Sequence, residues 1–444
     1  MKTKLEQGAL KVLQKLTQQG FQAYLVGGCV RDQQLRRAVK DYDIATSAHP
    51  AQVVELFERT IPTGLQHGTV SVIMDGNLYE VTTFRKEADY EQFRRPAEVE
   101  FIDSLEEDLK RRDFTMNAMA LDAAGMLIDP FGGLADLAQG SLRCVGNASE
   151  RFTEDALRML RCIRFSSEYE LQIEGGTWQA LCKHASLLKH IALERVRMEL
   201  ERMIAGANPL KAIGLLAASG MLLEAKQPLR LAQLDRLRTA EPINQLKAPT
   251  ERWSFLYIAM GMNASETEAD MRSLTFSKAQ IKAVCAVVAA AYKLVDAAAD
   301  VDLLNRVNRH ELSLEHELEP IWKRTVLRYG KEALQLLGKV LAVDPKVLEH
   351  LSLPSQVVSL FIQHGEAWLN ELEIDRLEQL RVDGKQLLTH IHHAPGPWLA
   401  EVLQFLLHEV ALGRLSNETD ALIAEAVMFV ENSKSSESGT QHEY

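Results

Sequence analysis

At 444 residues, with 46% hydrophobic and 25% charged residues, the chain has ordinary globular composition and is long enough for about two to four domains. It holds no apolar run of about eighteen residues, and its N-terminal MKTKLEQGALKVLQKLTQQ is amphipathic without a signal-peptide core, so a soluble, cytoplasmic protein with no membrane partner is expected. A net charge of −11 argues against indiscriminate coating of nucleic acid but permits recognition of one RNA through local basic surfaces. The five cysteines, Cys29, Cys144, Cys162, Cys182 and Cys285, include no CxxC pair, so neither a zinc site nor a disulfide framework is indicated.

After the first amphipathic helix, Ala23 to Val26 reads as a short buried strand. Gly27 and Gly28 follow it, where the absence of a Cβ lets backbone N–H groups approach an anion as the chain turns into the next helix, whose first turn carries Arg31. Asp41, Tyr42 and Asp43 then alternate as a strand does, which puts Asp41 and Asp43 on one face. Two adjacent carboxylates repel, a cost offset if they hold a divalent cation such as Mg²⁺, which takes one or two protein carboxylates plus substrate phosphates. Each half alone is also what a capped helix or a solvated strand end would show. Together, GGxxRD with DxD about ten residues on resembles the signature of polymerase-β-type nucleotidyltransferases, and no GxxxxGK[ST] occurs.

Ser47 and Pro50 open a helix, AQVVELFER. TVSVIMDG and NLYEVTTF read as strands joined at Asp75-Gly76-Asn77, a hairpin signal. Glu80, in the second strand, is either a third acid beside the first two or a solvent-facing strand residue. Residues 86–109 are polar and poorly periodic, which predicts a mobile loop leading into a short strand and a helix. Arg111 to Ala118 starts a helix or tight turn, and ALDAAGMLIDPFGGLADL adds a strand, a hairpin turn at Gly125 and a further Gly-Gly loop, closing an α/β head near Gly146.

The remainder is predicted helical. Thr153 is a good N-cap before EDALRMLRCIRFSSEY, and ERVRMELERMI has helical spacing. Recurrent amphipathic segments run from Asn208 to about Val430, broken at prolines and without a repeat of fixed period. On a helix over 153–165, Asp155 and Arg158 are neighbours on one face. Such a pair forms an ordinary surface ion pair, or it reads a base: cytosine and adenine present an amine donor beside a ring-nitrogen acceptor, uracil and guanine a carbonyl beside an N–H. A carboxylate with a guanidinium matches C and A and rejects U and G. Arg161 and Arg164 continue at three-residue steps, each drifting by about 60° around the helix, so they line a groove suited to a triphosphate or pair with acids elsewhere.

LVGGCVRD with KDYDIAT, RRDFTMNAMALD, DPFGGLADL, FTEDALRMLRCIRF and, more loosely, ERVRMEL resemble the motifs of the class II tRNA nucleotidyltransferases, the CCA-adding enzyme family, in the shorter form of Bacillus-like bacteria. VDGKQLL and HHAPGPWLAEVL with GRLSN resemble that family's C-terminal part. The resemblance implies an α+β fold: a polymerase-β-like nucleotidyltransferase head over 1–146, then an elongated helical neck (147–207), body (208–265) and tRNA-binding tail (266–432) in a seahorse shape; the polar SKSSESGTQHEY at 433–444 is by its composition expected to be disordered. It implies that Asp41 and Asp43 bind Mg²⁺ with Glu80 as third carboxylate, and that Gly28 and Arg31 contact the nucleotide. Arg112, Asp155, Arg158, Arg161 and Arg164 complete the pocket, with Asp113 and Asn117 near the ribose. Cys29 and Met116 stand where alanine and isoleucine are common, so Cys29 is either a reactive thiol or a small buried packing residue.

The implied activity is template-independent addition of CCA to the tRNA 3′ end, with CTP and ATP as substrates, release of pyrophosphate and two metal ions; homodimer formation is left open. The rivals are a poly(A) polymerase, which usually carries a basic C-terminal extension unlike ENSKSSESGTQHEY, an enzyme adding only CC or only A, and an inactive RNA-binding scaffold, which would be expected to lose an acid or an arginine. The loop at 86–101, with Arg94, Arg95 and Pro96, resembles the flexible segment of full CCA-adders. The only histidine cluster, His390, His392 and His393, reads as a polar helix end rather than a metal site.

Overall fold

The computed structural model describes residues 3–87, 90–91, 95–96, 99–234, 237, 240–298, 314–351, 353–391 and 394–438. The chain divides into two compact units, one of residues 1–235 with 273–275 and one of 236–272 with 276–444, so the division falls inside the segment 208–265. Among the described residues no helix is long and apolar enough to cross a membrane.

The first unit begins with α1 (Lys4–Gln18), capped by Thr3, whose hydroxyl accepts from the Glu6 N–H at 3.1 Å. Its buried stripe of Ala9, Val12, Leu13 and Leu16 has the spacing of one helix face. Then come β1 (Ala23–Val26), α2 (Gly28–Gln34), β2 (Asp43–Thr46), α3 (Pro50–Leu56), β3 (Thr60–Gly64), β4 (Thr69–Met74) and β5 (Asn77–Thr83). Asp75 and Gly76 join β4 to β5, both at positive φ (51° and 78°), as a two-residue hairpin turn demands. The N-cap of α3 is His49 rather than Ser47, whose hydroxyl instead accepts from the Gln22 N–H.

Four short strands follow: β6 (Arg85–Glu87), β7 (Tyr90–Glu91), β8 (Arg95–Pro96) and β9 (Val99–Phe101). β6 pairs with β9 across the base of the polar 86–101 segment, of which Arg94 lies outside the described residues. Next are α4 (Leu105–Lys110), a 3₁₀ turn at Thr115–Asn117, β10 (Ala120–Leu121), β11 (Leu127–Ile128) and α5 (Gly133–Ala138). Seven strands form one sheet in the order β11-β10-β1-β2-β5-β4-β3, in which β2 and β5 run parallel and set Asp43 opposite Glu80. Val26, Ala45, Phe84, Leu105, Leu109, Ala118, Ala120 and Val145 pack as a core beside it.

The glycines of DPFGGLADL have a packing reason. Asp129 accepts from the Gly133 and Leu134 N–H groups at 2.7 and 2.9 Å, and a Cβ on Gly133 would collide with the Thr115 carbonyl. The motif therefore supports the 3₁₀ turn from below. Beyond it lie β12 (Ser141–Leu142), α6 (Ala148–Glu154), α7 (Leu157–Glu168), β13 (Gln172–Ile173), α8 (Gly175–His184), α9 (Leu193–Ala205) and α10 (Pro209–Ser219).

Among its described residues the second unit is helical, including α11 (Pro249–Ala259) and α12 (Lys278–Ala298). One part of its core stacks Trp322 on Phe361 at 5.1 Å, where Gly365 leaves room for the indole, and another gathers Val402, Leu406, Leu407, Leu422 and Ala426. His390 ends a helix over Gly384–His390, and its companions His392 and His393 lie outside the described residues. The last helix, Thr419–Ser438, continues into the segment expected to be disordered from 433; residues 439–444 lie outside the described residues.

Candidate functional site

Gly27 caps α2 with φ 74° and ψ −129°, a conformation closed to L side chains, and a Cβ there would lie 3.0 Å from Nη1 of Arg112. Behind this turn Cys29 is buried and its thiol contacts the Val26 carbonyl at 3.2 Å. Burial pushes that thiol up to about 12, so it is a packing group and not a nucleophile.

β2 begins at Asp43, so Asp41 precedes the strand, but burial still alternates: Asp41 exposed, Tyr42 buried, Asp43 half-buried. Burial, with the charges of Asp41 and Glu80, raises the Asp43 carboxyl to about 6 against the pull of Arg112. Glu80 itself is exposed. Among the described residues no group of three or more His, Cys, Asp or Glu is gathered closely enough to hold a metal ion.

RRDFTMN leaves α4 as a chain of charge-assisted bonds. Asp108, 1% exposed, accepts from Nε and Nη2 of Arg111 at 2.9 and 2.8 Å and from Nη2 of Arg112 at 3.3 Å. Asp113 accepts from Nε and Nη2 of Arg161 at 2.8 and 2.6 Å, from the Asn117 amide at 3.0 Å and from the Phe114 N–H at 2.9 Å. Burial would raise the Asp113 carboxyl, but the Arg161 guanidinium and these bonds overcome it and hold it at about 2. Asn117 in turn accepts from Nη1 of Arg31 at 2.7 Å.

The helix expected over 153–165 is interrupted. α6 ends at Glu154, Asp155 is extended (φ −138°, ψ 104°), and α7 starts at Leu157. Thr153 lies inside α6, its hydroxyl bonded back to the Ser149 carbonyl at 3.0 Å, so it caps nothing. Asp155 and Arg158 are therefore not partners on one helix face. The Asp155 carboxylate accepts from the Leu157 N–H at 3.0 Å and from Nη2 of Arg195, on α9, at 3.0 Å. The break satisfies a helix N-terminus with a carboxylate, which continuous helix would leave pointing outward. Arg158 is held by Glu154 at 2.5 Å and by the Arg151 and Arg111 carbonyls at 3.2 and 3.0 Å.

These pieces line an open cavity of about 500 Å³. Asp41, Asp43, Gly28, Arg31, Arg112, Asp113, Asn117, Asp155, Arg158 and Arg161 all line it; Glu80 and Arg164 do not. Arg164 is buried and bonded to Glu199 at 2.6 Å and Glu168 at 2.9 Å, since two steps of about −60° from Arg158 carry it to another face of α7. Sequence reasoning did not place Arg111, Leu157, Phe165 and Arg195 on the wall. Nor did it assign the acids Asp108, Glu154 and Glu199 that hold the arginines; only Asp108 and Glu154 carry a local signal, three or four residues before their partners. Two donors of the wall, Nε of Arg112 and Nη1 of Arg195, are buried without a hydrogen-bond partner among the described residues.

The chain matches the family model "Poly A polymerase head domain" over residues 23–143, "Probable RNA and SrmB- binding site of polymerase A" over 170–225 and "tRNA nucleotidyltransferase domain 2" over 244–426. It is 38% identical over 430 residues to the CCA-adding enzyme of Lactiplantibacillus plantarum, covering 96% of this chain and 97% of that one. The chain belongs to the CCA-adding enzyme family. It is accordingly a tRNA nucleotidyltransferase. The CCA-adding enzyme of Bacillus cytotoxicus is 36% identical over 93% of this chain and 95% of its own. Among solved structures, that of the Bacillus stearothermophilus CCA-adding enzyme in complex with CTP covers 98% of this chain and 100% of its own, at 32% identity and a TM-score of 0.79. The α+β architecture of sheet head and helical remainder is thus that of the CCA-adding enzymes.

Proposed function

We propose that the cavity binds CTP and ATP in turn and adds C, C and A to the 3′ end of tRNA, releasing pyrophosphate at each step. One observation carries this reading: six arginines and four aspartates converge on a cavity of about 500 Å³ that keeps two buried, unpartnered guanidinium donors. Such a wall suits a polyanion together with cations, and a nucleoside triphosphate with its metal ions is both.

Asp41 and Asp43 are the pair that would hold Mg²⁺ once substrate phosphates complete the ligand set, since the described residues alone gather no three-carboxylate cage, with Glu80 opposite Asp43 as third carboxylate. Their fit is electrostatic: crowding of Asp43 by Asp41 and Glu80 is relieved by a hard divalent cation, and all the donors are oxygen. Two such ions bound there would lower the pKa of the tRNA 3′-hydroxyl and steady the leaving pyrophosphate. Gly28, Arg31, Arg112 and Arg161 bind and orient the triphosphate, with Asp113 and Asn117 near the ribose and Arg164 supporting from behind the wall. Asp155 accepts from the exocyclic amine of C or A, since a carboxylate bonded to Leu157 and Arg195 keeps further lone pairs, and Arg158 donates to the ring nitrogen. Residues 1–146 act as the catalytic head and 147–207 as the nucleotide-selecting neck. The helices from 208 to 432 grip the acceptor and T arms of tRNA through shape and phosphate contacts.

The test is incubation of the purified chain with tRNA ending before its CCA, with CTP alone, ATP alone and both. CTP alone should extend the tRNA by two nucleotides and both together by three. A long adenylate tail with ATP alone would mark a poly(A) polymerase instead.

A further inference from the structure

Tyr169 belongs to none of the motifs and does not line the cavity, yet it packs against Arg31, which does. It is the C-cap of α7, the helix carrying Arg158 and Arg161. The chain turns directly after it at Glu170, which holds φ 57°. That left-handed turn is fixed from behind: the Leu171 carbonyl accepts from the Ser166 hydroxyl at 2.6 Å and from the Lys211 ammonium at 2.8 Å. The ring is thereby delivered to α2. The Arg31 guanidinium lies over it at 4.3 Å and that of Arg37 at 4.5 Å. The Tyr169 hydroxyl donates to Oδ1 of Asp32 at 3.1 Å, the same oxygen that accepts Nε of Arg31 at 2.9 Å. Arg37 also donates to the Glu168 carbonyl at 3.2 Å.

Arg31 is therefore held by Asp32 at Nε, by Asn117 at Nη1 and by the Tyr169 ring beneath its plane. Its Nη2 lies 3.5 Å from where a Cβ of Gly28 would stand, on the cavity side of the turn. We propose that Tyr169 is a positioning residue for nucleotide binding, holding Arg31 at the cavity wall and fastening the end of α7 to α2. The proposal rests on the reading of the cavity as the nucleotide site. Through this clamp the cations of α7 and the glycine turn keep one spacing, so the two walls meet a triphosphate together.

A double-mutant cycle on the full chain tests it, with CTP affinity and the kcat and KM for C addition as readouts. Tyr169→Ala should weaken CTP binding by about three- to thirtyfold, the range of a partly desolvated cation–π contact, mainly in KM. Tyr169→Phe, which keeps the ring, should recover most of that loss. In an Arg31→Ala background the loss from Tyr169→Ala should be clearly smaller than in the parent, what remains being its hold on Asp32 and Arg37. Weakening by Arg31→Ala with independent, additive loss from Tyr169→Ala, or with no loss at all, overturns the role of Tyr169 alone. An Arg31→Ala chain that binds CTP as tightly as the parent overturns both this proposal and the nucleotide-site reading of Arg31. A fall in kcat with unchanged KM in Tyr169→Ala would also overturn it.

Discussion

Asp43→Asn should make the protein more stable while ending nucleotide incorporation. Burial and the neighbouring acids hold the Asp43 carboxyl at about 6, against an ordinary value of 3.8. At neutral pH the folded chain must ionise a group that resists ionisation, a penalty of about 3 kcal/mol by proton linkage. The side chain is half-buried, and solvent screening together with the lost attraction to Arg112 brings the expected gain to about 1–3 kcal/mol. The sign follows from the protons bound. Between 3.8 and about 6 the folded state holds the proton that the unfolded state has released, so stability falls as pH rises and the penalty is complete only above about 6. Urea unfolding in the presence of a chelator, at about pH 7.5 and about pH 5, should show a gain for Asp43→Asn that is roughly half as large at the lower pH. Asp41→Asn, at an exposed position, should gain less. A variant equally stable or less stable than the parent at both pH values would refute the claim that these carboxylates are crowded in readiness for a cation.

Arg164→Gln should lower stability by about 3 kcal/mol or more, because it leaves Glu199 buried without its main partner, while the preference for CTP over UTP stays unchanged; chemical unfolding and a CTP/UTP comparison check the two halves. Deleting most of the 86–101 segment should leave CC addition largely intact and suppress the final A, read as product length on tRNA lacking its CCA. Equal loss of all three additions would assign that segment to folding or general binding.

What the sequence disclosed, and what it concealed, follow from how far apart the partners lie. The turn at Gly27 and the hairpin at Asp75-Gly76 were legible because positive φ restricts residue choice locally. The pairing of Asp43 with Glu80 required only that two strands be neighbours. The break at Asp155 was not legible: TEDALR contains no Gly or Pro, and the extended conformation is bought by a bond to Arg195, 40 residues on. The drift of about 120° from Arg158 to Arg164 was legible in the spacing, but the acid that takes Arg164 on that other face, Glu199, lies 35 residues on and was not. Tyr169 is harder still, since its hydrogen-bond partner on α2, Asp32, lies 137 residues earlier and a tyrosine at a helix end has no periodic signature.

The most direct test of the account is the competition between CTP and UTP on a tRNA lacking its CCA end, in the parent and in Asp155→Ala. The substitution also removes the cap on Leu157 and the partner of Arg195, but these losses fall on both nucleotides and cancel in the ratio. A bidentate contact is worth roughly 1–3 kcal/mol of discrimination, so the preference for CTP should fall about tenfold to hundredfold while residual incorporation persists. If Asp155→Ala slows CTP and UTP equally and leaves their ratio unchanged, Asp155 only anchors α7 to α9, and selection of C and A by this pair of side chains is wrong.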